Sequence, residues 1–256
     1  MARQTNQKAW INPDTSQRGV FVLSERYDAS IGPWHAHRKA QLIHASDGVL
    51  TISTLNGFWT VPPHRAVWIL PNQVHQVCAT KEFVLLTLYA PEDAVTLPKD
   101  NCVVAIDSLL SELLNAAAKF GSDYPAQGPE QRLVSVIVDR LGDFAMVPSY
   151  LPMPKDPRMV KLTSILLANP SDARVLPLLA SSCGMTARTA ARLFVGQTGL
   201  TFGKWRQQLR MVRAMEHLSN GLTVTRSAIE VGYTDVSAFI ATFKAVFGET
   251  PVRYLR

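Results

Sequence analysis

The stretch AIEVGYTDVSAFIATFKAVFGETPVRY, residues 228–254, reads as two helices folded tightly against each other. Ala228 precedes Gly232 by four positions. A small side chain lets two helices approach closely, and glycine adopts the left-handed conformation that ends the first of them. Asp235 then caps a new helix. An earlier stretch, LLASSCGMTARTAARLFVGQTGLTFGKWRQQL at residues 178–209, repeats the pattern with Ala180, Gly184 and the cap Thr186. The second turn is one residue longer than the first.

Aligned on their caps, the two copies expose comparable positions at the start of the second helix, where a helix-turn-helix unit meets base edges in a major groove. These are Arg188, Thr189 and Arg192 in the first copy, and Ser237, Ala238 and Ala241 in the second. The inward positions are apolar: Ala190, Leu193 and Phe194, then Phe239 and Phe243. Arg188 and Arg192 can make bidentate contacts to guanine, whereas Ser237 offers a short hydroxyl and Ala241 a methyl. Lys244 and Arg253 suit phosphate. Between the copies, Phe202–Leu218 reads as one helix stopped by Asn220-Gly221. Its expected buried face carries Trp205, Leu209, Val212, Met215 and Leu218; its expected exposed face carries Arg206, Arg210 and Arg213. Such a connector would set the units about 34 Å apart, one helical turn of double-stranded DNA.

Charge agrees with that reading. The chain carries a net +6, but residues 158–256 hold thirteen Lys/Arg against five Asp/Glu, a net +8, and the first 157 residues a net −2. The positive excess lies where phosphate would be met. Residues from about Leu176 to Tyr254 resemble the DNA-binding domain of the AraC/XylS family of transcription regulators. GYTDVSAFIATFKAVFGETPVRY is similar to that family's most diagnostic stretch, and GLTFGKWRQQLR (199–210) to its linker-helix region. The resemblance implies two helix-turn-helix units bridged by one helix on one face of an operator. The small residues at the second unit's contact positions depart from that pattern.

Toward the N-terminus the character changes. Val20–Leu23, Gln41–His44, Gly48–Ser53, Phe58–Val61, Ala66–Ile69 and Phe83–Tyr89 read as short strands punctuated by turn residues, the mark of an antiparallel barrel or sandwich. Ile106–Phe120 and Glu130–Phe144 read as amphipathic helices, with Leu109, Leu110, Leu113, Leu114 and Ala117 on one face of the first. That face either covers the barrel or forms a homodimer interface. Pro148, Pro152, Pro154 and Pro157 mark a linker. The expected class is therefore α+β with two domains: an antiparallel β-barrel with trailing helices over 1–147, a linker over 148–157, and an all-α domain over 158–256.

GPWHAHRKAQLIHASDG (32–48) resembles the first motif of the cupin barrel through His35, His37 and Gly48, with Gln41 where a glutamate usually stands. PNQVH (71–75) resembles the second through Pro71 and His75. Two histidines two apart on a strand share a face. Three imidazoles and a carbonyl oxygen could hold Zn²⁺, Ni²⁺ or Fe²⁺. Alternatively, the same histidines line a pocket for a small organic effector, walled by Trp34, Trp59 and Trp68. The chain also resembles single-cupin members of the family, some of which are local repressors of a neighbouring export gene. The rival from another class is a metal-dependent cupin enzyme with a DNA-binding appendage. The missing glutamate, and the lack of an acid-base carboxylate near the histidines, count against it, so no catalytic residue is assigned. Cys78, Cys102 and Cys183 are odd in number and far apart, which predicts a reduced compartment without disulfides. MARQTNQKAW at the start has no apolar core of a leader, and no stretch reaches about 18 apolar residues. The expectation is a cytoplasmic protein with no membrane partner.

Overall fold

A computed structural model describes residues 12–16, 18–62, 64–91, 93, 100–141, 146–147 and 150–254. The first part consists of β1 (Phe21–Tyr27), β2 (Ser30–Ile31), β3 (Ala40–Asp47), β4 (Leu50–Thr54), β5 (Gly57–Val61), β6 (Arg65–Ile69), β7 (His75–Ala79), β8 (Phe83–Ala90), β9 (Cys102–Ala105), α1 (Ser108–Ala118), α2 (Pro129–Leu141), β10 (Met146–Val147) and β11 (Tyr150–Pro152). Among the described residues these strands form two antiparallel sheets, ordered β1-β8-β3-β6-β9-β10 and β11-β5-β4-β7-β2.

Alternation along the strands builds two apolar layers. Ile43, Val67, Ile69, Phe83 and Val103 from the first sheet meet Leu50, Ile52, Trp59 and Val61 from the second. The opposite face of the first sheet, with Val22, Leu42, Ala66, Trp68 and Leu88, takes Leu110, Leu114, Ala117, Val134, Ile137 and Leu141 of the two helices. Leu109 departs from the expected stripe and is 54% exposed.

The fourth strand starts later than expected. Gly48 sits at φ +85° in the turn, and a Cβ there would lie 3.0 Å from the Phe83 Cβ, so pairing begins at Leu50. The short strands β2, β7, β9, β10 and β11 carry no alternation strong enough to read. Asp107 ends the approach to α1 by capping it, its carboxylate accepting from the Leu110 amide at 2.8 Å. The expected linker is not free chain. Tyr150–Pro152 pairs with Gly57–Trp59 as an edge strand, where a proline's missing donor costs nothing. Pro148, residues 142–144 of the second expected helix and the first ten residues lie outside the described residues.

The second part is helical: α3 (Pro157–Ala168), α4 (Leu176–Ser182), α5 (Ala187–Thr198), α6 (Phe202–Ser219), α7 (Val224–Glu230), α8 (Val236–Phe247) and α9 (Pro251–Tyr254). Its two cores share α6. Trp205 and Leu209 join Leu162, Leu179, Ala190 and Phe194, while Met211, Met215 and Leu218 join Ala228, Phe239 and Phe243. The α+β, two-domain class expected from sequence is the observed one.

The domains meet through α6 and α9. Trp205 Nε1 donates to the Pro152 carbonyl at 2.7 Å, and the Gln208 side-chain amide donates to the Tyr150 carbonyl. Thr60 Oγ1 donates to Glu216 at 3.1 Å, and the Arg65 guanidinium lies 4.6 Å over the Tyr254 ring. β11 is thus held on one side by β5 and on the other by α6.

Candidate nucleic-acid interface and candidate metal centre

The two turns are built as the sequence pattern requires. Ala180 and Ala228 are fully buried, and Gly184 and Gly232 take φ of +71° and +85°. Thr186 Oγ1 accepts from the Thr189 amide at 3.1 Å. Asp235 accepts from the amides of Ser237 at 2.8 Å and Ala238 at 3.3 Å. Behind each cap, Ala190 and Phe194, then Phe239 and Phe243, are buried at 0% exposure. Their helices therefore cannot roll, and the opposite face points outward.

That outward face carries Arg188, Arg192, Ser237, Ala238, Ala241 and Lys244, all exposed, and Arg253, on α9, is exposed as well. Thr189 is only half exposed, and its hydroxyl lies 3.0 Å from that of Thr186, so it serves the cap. No described acidic side chain forms a salt bridge with Arg188, Arg192 or Lys244. The connecting helix corrects an expectation: its arginines are not a solvated face. Arg206 donates to the Arg174 carbonyl at 2.9 Å and lies over the Phe202 ring. Arg213 is bonded to Glu216 at 2.7 Å. Arg210 donates to the carbonyls of Pro170 at 3.0 Å and Gly232 at 3.4 Å. The cause is that α6 is central, covered by both units, the 169–175 loop and the barrel. Arg210 clamps the second turn to that loop. Sequence reasoning missed it because its partners are carbonyls 22 and 40 positions away.

At one end of the barrel, His35 bridges to His75, each amide donating to the other's carbonyl at 3.0 and 2.9 Å. The Nδ1 atoms of His35, His37 and His75 lie 3.0, 3.1 and 2.9 Å from the carbonyls of Pro33, Lys39 and Gln73. A carbonyl only accepts, so each neutral ring carries its proton on Nδ1 and its lone pair on Nε2. The three side chains offer ligand atoms within 4.8 Å of one another. His37 and His75 are 6% and 0% exposed, and their Nε2 atoms have no hydrogen-bond partner. Burial, before any other cause, lowers the His37 pKa and pushes that of His75 down to about 4.

Gln41 stands directly across the strands from Tyr89. Its Nε2 donates to Tyr89 Oη at 3.3 Å, while its buried Oε1 has no partner. The Tyr89 ring meets the His37 ring edge-on at 5.3 Å. His35, His37, Gln41 and His75 thus fall at one end of the fold, as the motifs imply, with Tyr89 an unforeseen neighbour. The expected tryptophan walls do not form. Trp68 faces the helical layer because Val67 and Ile69 take the inward positions, and Trp59 packs against Tyr150 in the inter-sheet core. Trp34 alone of the three is exposed, at 48%. A surface cleft of about 410 Å³ lies elsewhere, lined by Arg18, Val20, Tyr124, Val134 and Val138. Arg18 stacks over Tyr124 there, and the cleft is a seam between the 18–20 segment that precedes β1, Tyr124 and α2.

Residues 179–256 match the family described as "Helix-turn-helix domain". Over 236 residues the chain is 34% identical to the HTH-type transcriptional regulator NimR of Escherichia coli strain K12, covering 92% of this chain and 86% of that protein. The chain belongs to the AraC/XylS family of transcription regulators. Another member-like relative, the HTH-type transcriptional regulator RipA of Corynebacterium glutamicum, is 33% identical over 101 residues, 40% of this chain and 30% of that protein. Among solved structures, fatty-acid-bound ToxT from Vibrio cholerae aligns over 94% of this chain and 96% of its own, with a TM-score of 0.40 and 12% identity.

As an AraC/XylS regulator the protein is a DNA-binding protein with two helix-turn-helix units. Its two units are not equivalent. The long cationic side chains at the start of α5 have short counterparts at the start of α8, on an otherwise matched scaffold. Among the described residues no helix is long and apolar enough to cross a membrane.

Proposed function

We propose that this regulator binds a specific double-stranded operator through α5 and α8 and responds to an effector held in its barrel. In this reading Arg188 and Arg192 read guanine edges, Thr189 fixes the cap beside them, Ser237, Ala238 and Ala241 make close apolar and hydroxyl contacts, and Lys244 and Arg253 meet phosphate. The observation that carries it is the contrast among the arginines. Those of α6 are bonded to carbonyls or to Glu216, while Arg188 and Arg192 stand exposed and unpaired at the start of α5. A cation left to water at the start of a recognition helix is available to DNA.

For the barrel, the reading is a divalent Zn²⁺, Ni²⁺ or Fe²⁺ on His35, His37, His75 and Gln41. Its support is the chemistry of the donors: three Nε2 lone pairs oriented by backbone carbonyls, and a buried, unpartnered amide oxygen. Nitrogen and oxygen donors suit first-row metals. Bound there, an ion would draw His35, His37 and His75 together and supply a Lewis-acidic position for a further ligand.

The test is elemental analysis of protein purified without a chelating column, beside a His35→Ala, His37→Ala, His75→Ala variant. Near-stoichiometric metal that disappears in the variant supports the metal reading, and operator affinity is then titrated against that metal. Absence of metal from both favours an organic effector in the same pocket. Sedimentation of the operator complex decides between one bound chain and a homodimer. Transcript levels of neighbouring genes in a deletion strain test the finer reading of local repression of an export gene, where derepression is expected.

A further inference from the structure

We infer that Arg210 is a positioning residue for DNA binding: by joining the 169–175 loop to the second turn, it locks the two helix-turn-helix units against rotation and so sets the half-site spacing the protein accepts. This builds on the reading that α5 and α8 enter one operator.

A shared helix does not by itself fix both units. Because α6 packs into both cores, it sets how far apart they lie along its axis. Rotation about that axis is resisted best by contacts away from it, which have the longer lever arm. The 169–175 loop, which leads into α4 of the first unit, provides such a contact at the tips of two long side chains. Arg206 and Arg210, one turn apart on α6, both donate to it. Arg206 reaches the Arg174 carbonyl at 2.9 Å. Arg210 reaches the carbonyls of Pro170 at 3.0 Å and Asp172 at 3.5 Å, and then extends to the Gly232 carbonyl of the second turn at 3.4 Å. Its guanidinium also lies 5.9 Å from the centre of the Tyr233 ring. That ring meets Phe239, the first buried anchor of α8, edge-on at 5.5 Å. Five N–H donors in one rigid plane can hold several carbonyls at fixed angles, whereas an ammonium acts as a single point of charge.

The backbone makes the same joint. Gly232 sits at φ +85°, and a Cβ there would lie 2.9 Å from the Ser171 Cα, so the loop rests directly on the second turn. Gly184, at the same place in the first unit, has nothing within 4 Å of a Cβ. The loop therefore ties the units together at one turn and leaves the other open. Moving two half-sites apart by one base pair shifts the second groove by about 3.4 Å and turns it by roughly 35°. Units free to rotate about α6 would follow that change, and units locked at Gly232 would not.

The experiment uses the full chain and a DNA duplex that wild type enriches from a random-sequence library. Footprinting locates the two protected segments, and two further duplexes have one base pair added or removed between them. Kd is measured on all three for wild type, Arg210→Ala, Arg210→Lys and Arg206→Ala, with the active fraction of each protein titrated. Wild type should bind the altered duplexes about tenfold or more weakly than the parent, the scale of a mismatched site. Arg210→Ala should narrow that ratio to about threefold or less, since the bonds that fix the joint are lost. Arg210→Lys should fall between the two. Arg206→Ala, which removes a bond to the loop but none to the second turn, should keep the wild-type ratio. A variant that is only less stable loses affinity for all three duplexes alike, so the ratio separates positioning from folding. If wild type binds the three duplexes equally, the two-unit operator reading fails and this inference with it. If wild type discriminates and Arg210→Ala keeps the same ratio, this inference alone is overturned; should Arg210→Ala not fold, an unchanged ratio in Arg210→Lys overturns it. Equal narrowing in Arg206→Ala would overturn the assignment to Arg210.

Discussion

At the residue scale, burial separates cations that hold the fold together from cations left for a partner. Arg192→Ala removes an exposed, unpaired guanidinium from α5, so folding stability should change by less than about 0.5 kcal/mol. Operator affinity should fall by roughly 1–3 kcal/mol, with relaxed base preference confined to one half-site. Binding titrations on wild-type and base-substituted operators check both, and unchanged affinity would remove Arg192 from the contact set. Lys244→Ala should instead weaken all sequences equally and flatten the salt dependence by about one unit. A change in base preference there would mean that Lys244 reads a base rather than phosphate. The exposed positions at the start of α5 and α8 are legible in sequence because cap and turn are local signals: Thr186 and Asp235 fix the helix phase within a few residues. Arg210 and Tyr89 are not legible, since their roles depend on the 169–175 loop and on a strand pairing 48 positions apart.

At the scale of elements, the two turns offer a controlled comparison. Gly184 and Gly232 occupy the same place in their units, with similar positive φ. A Cβ on Gly184 would meet nothing within 4 Å, whereas one on Gly232 would lie 2.9 Å from the Ser171 Cα and 3.0 Å from the Arg210 guanidinium. Backbone strain alone therefore governs Gly184→Ala, at about 1–2 kcal/mol. Gly232→Ala adds displacement of the Arg210 clamp and should cost at least about 1 kcal/mol more, as overpacking does. Chemical denaturation of the two variants measures the difference; equal losses would show that the clamp yields freely. The same contrast explains why the helical domain is readable and the barrel only partly so. Ala, Gly and cap specify a turn within eight residues, but β7 and β11 take their conformation from strands they meet far along the chain. The prolines near 152 read as a linker because sequence shows the missing donor and not the edge position that tolerates it.

At the scale of the molecule, α6 does two jobs with one surface. It sets the geometry of both helix-turn-helix units through its shared cores, and it rests on the barrel through Trp205, Gln208 and Glu216. The second sheet runs from β7, which carries His75, through β4 and β5 to β11, whose carbonyls α6 holds. An effector changes operator binding only if it favours one arrangement of these parts over another, and the docked strand β11 is one contact through which such a preference would be expressed. Docking of this kind predicts one cooperative calorimetric transition for the full chain, with the enthalpy of both domains. Gly57→Ala tests it without touching a histidine or a DNA-facing residue. Its new Cβ would lie 2.4 Å from the Leu151 carbonyl oxygen and 2.6 Å from the Tyr150 ring, so β11 has to leave β5. The single transition should then split in two, with the helical domain melting on its own. Thr60→Val, which removes the hydroxyl that donates to Glu216, provides a milder version if Gly57→Ala fails to fold. Two transitions already present in the wild-type protein would mean that the contacts across α6 join the domains without coupling them.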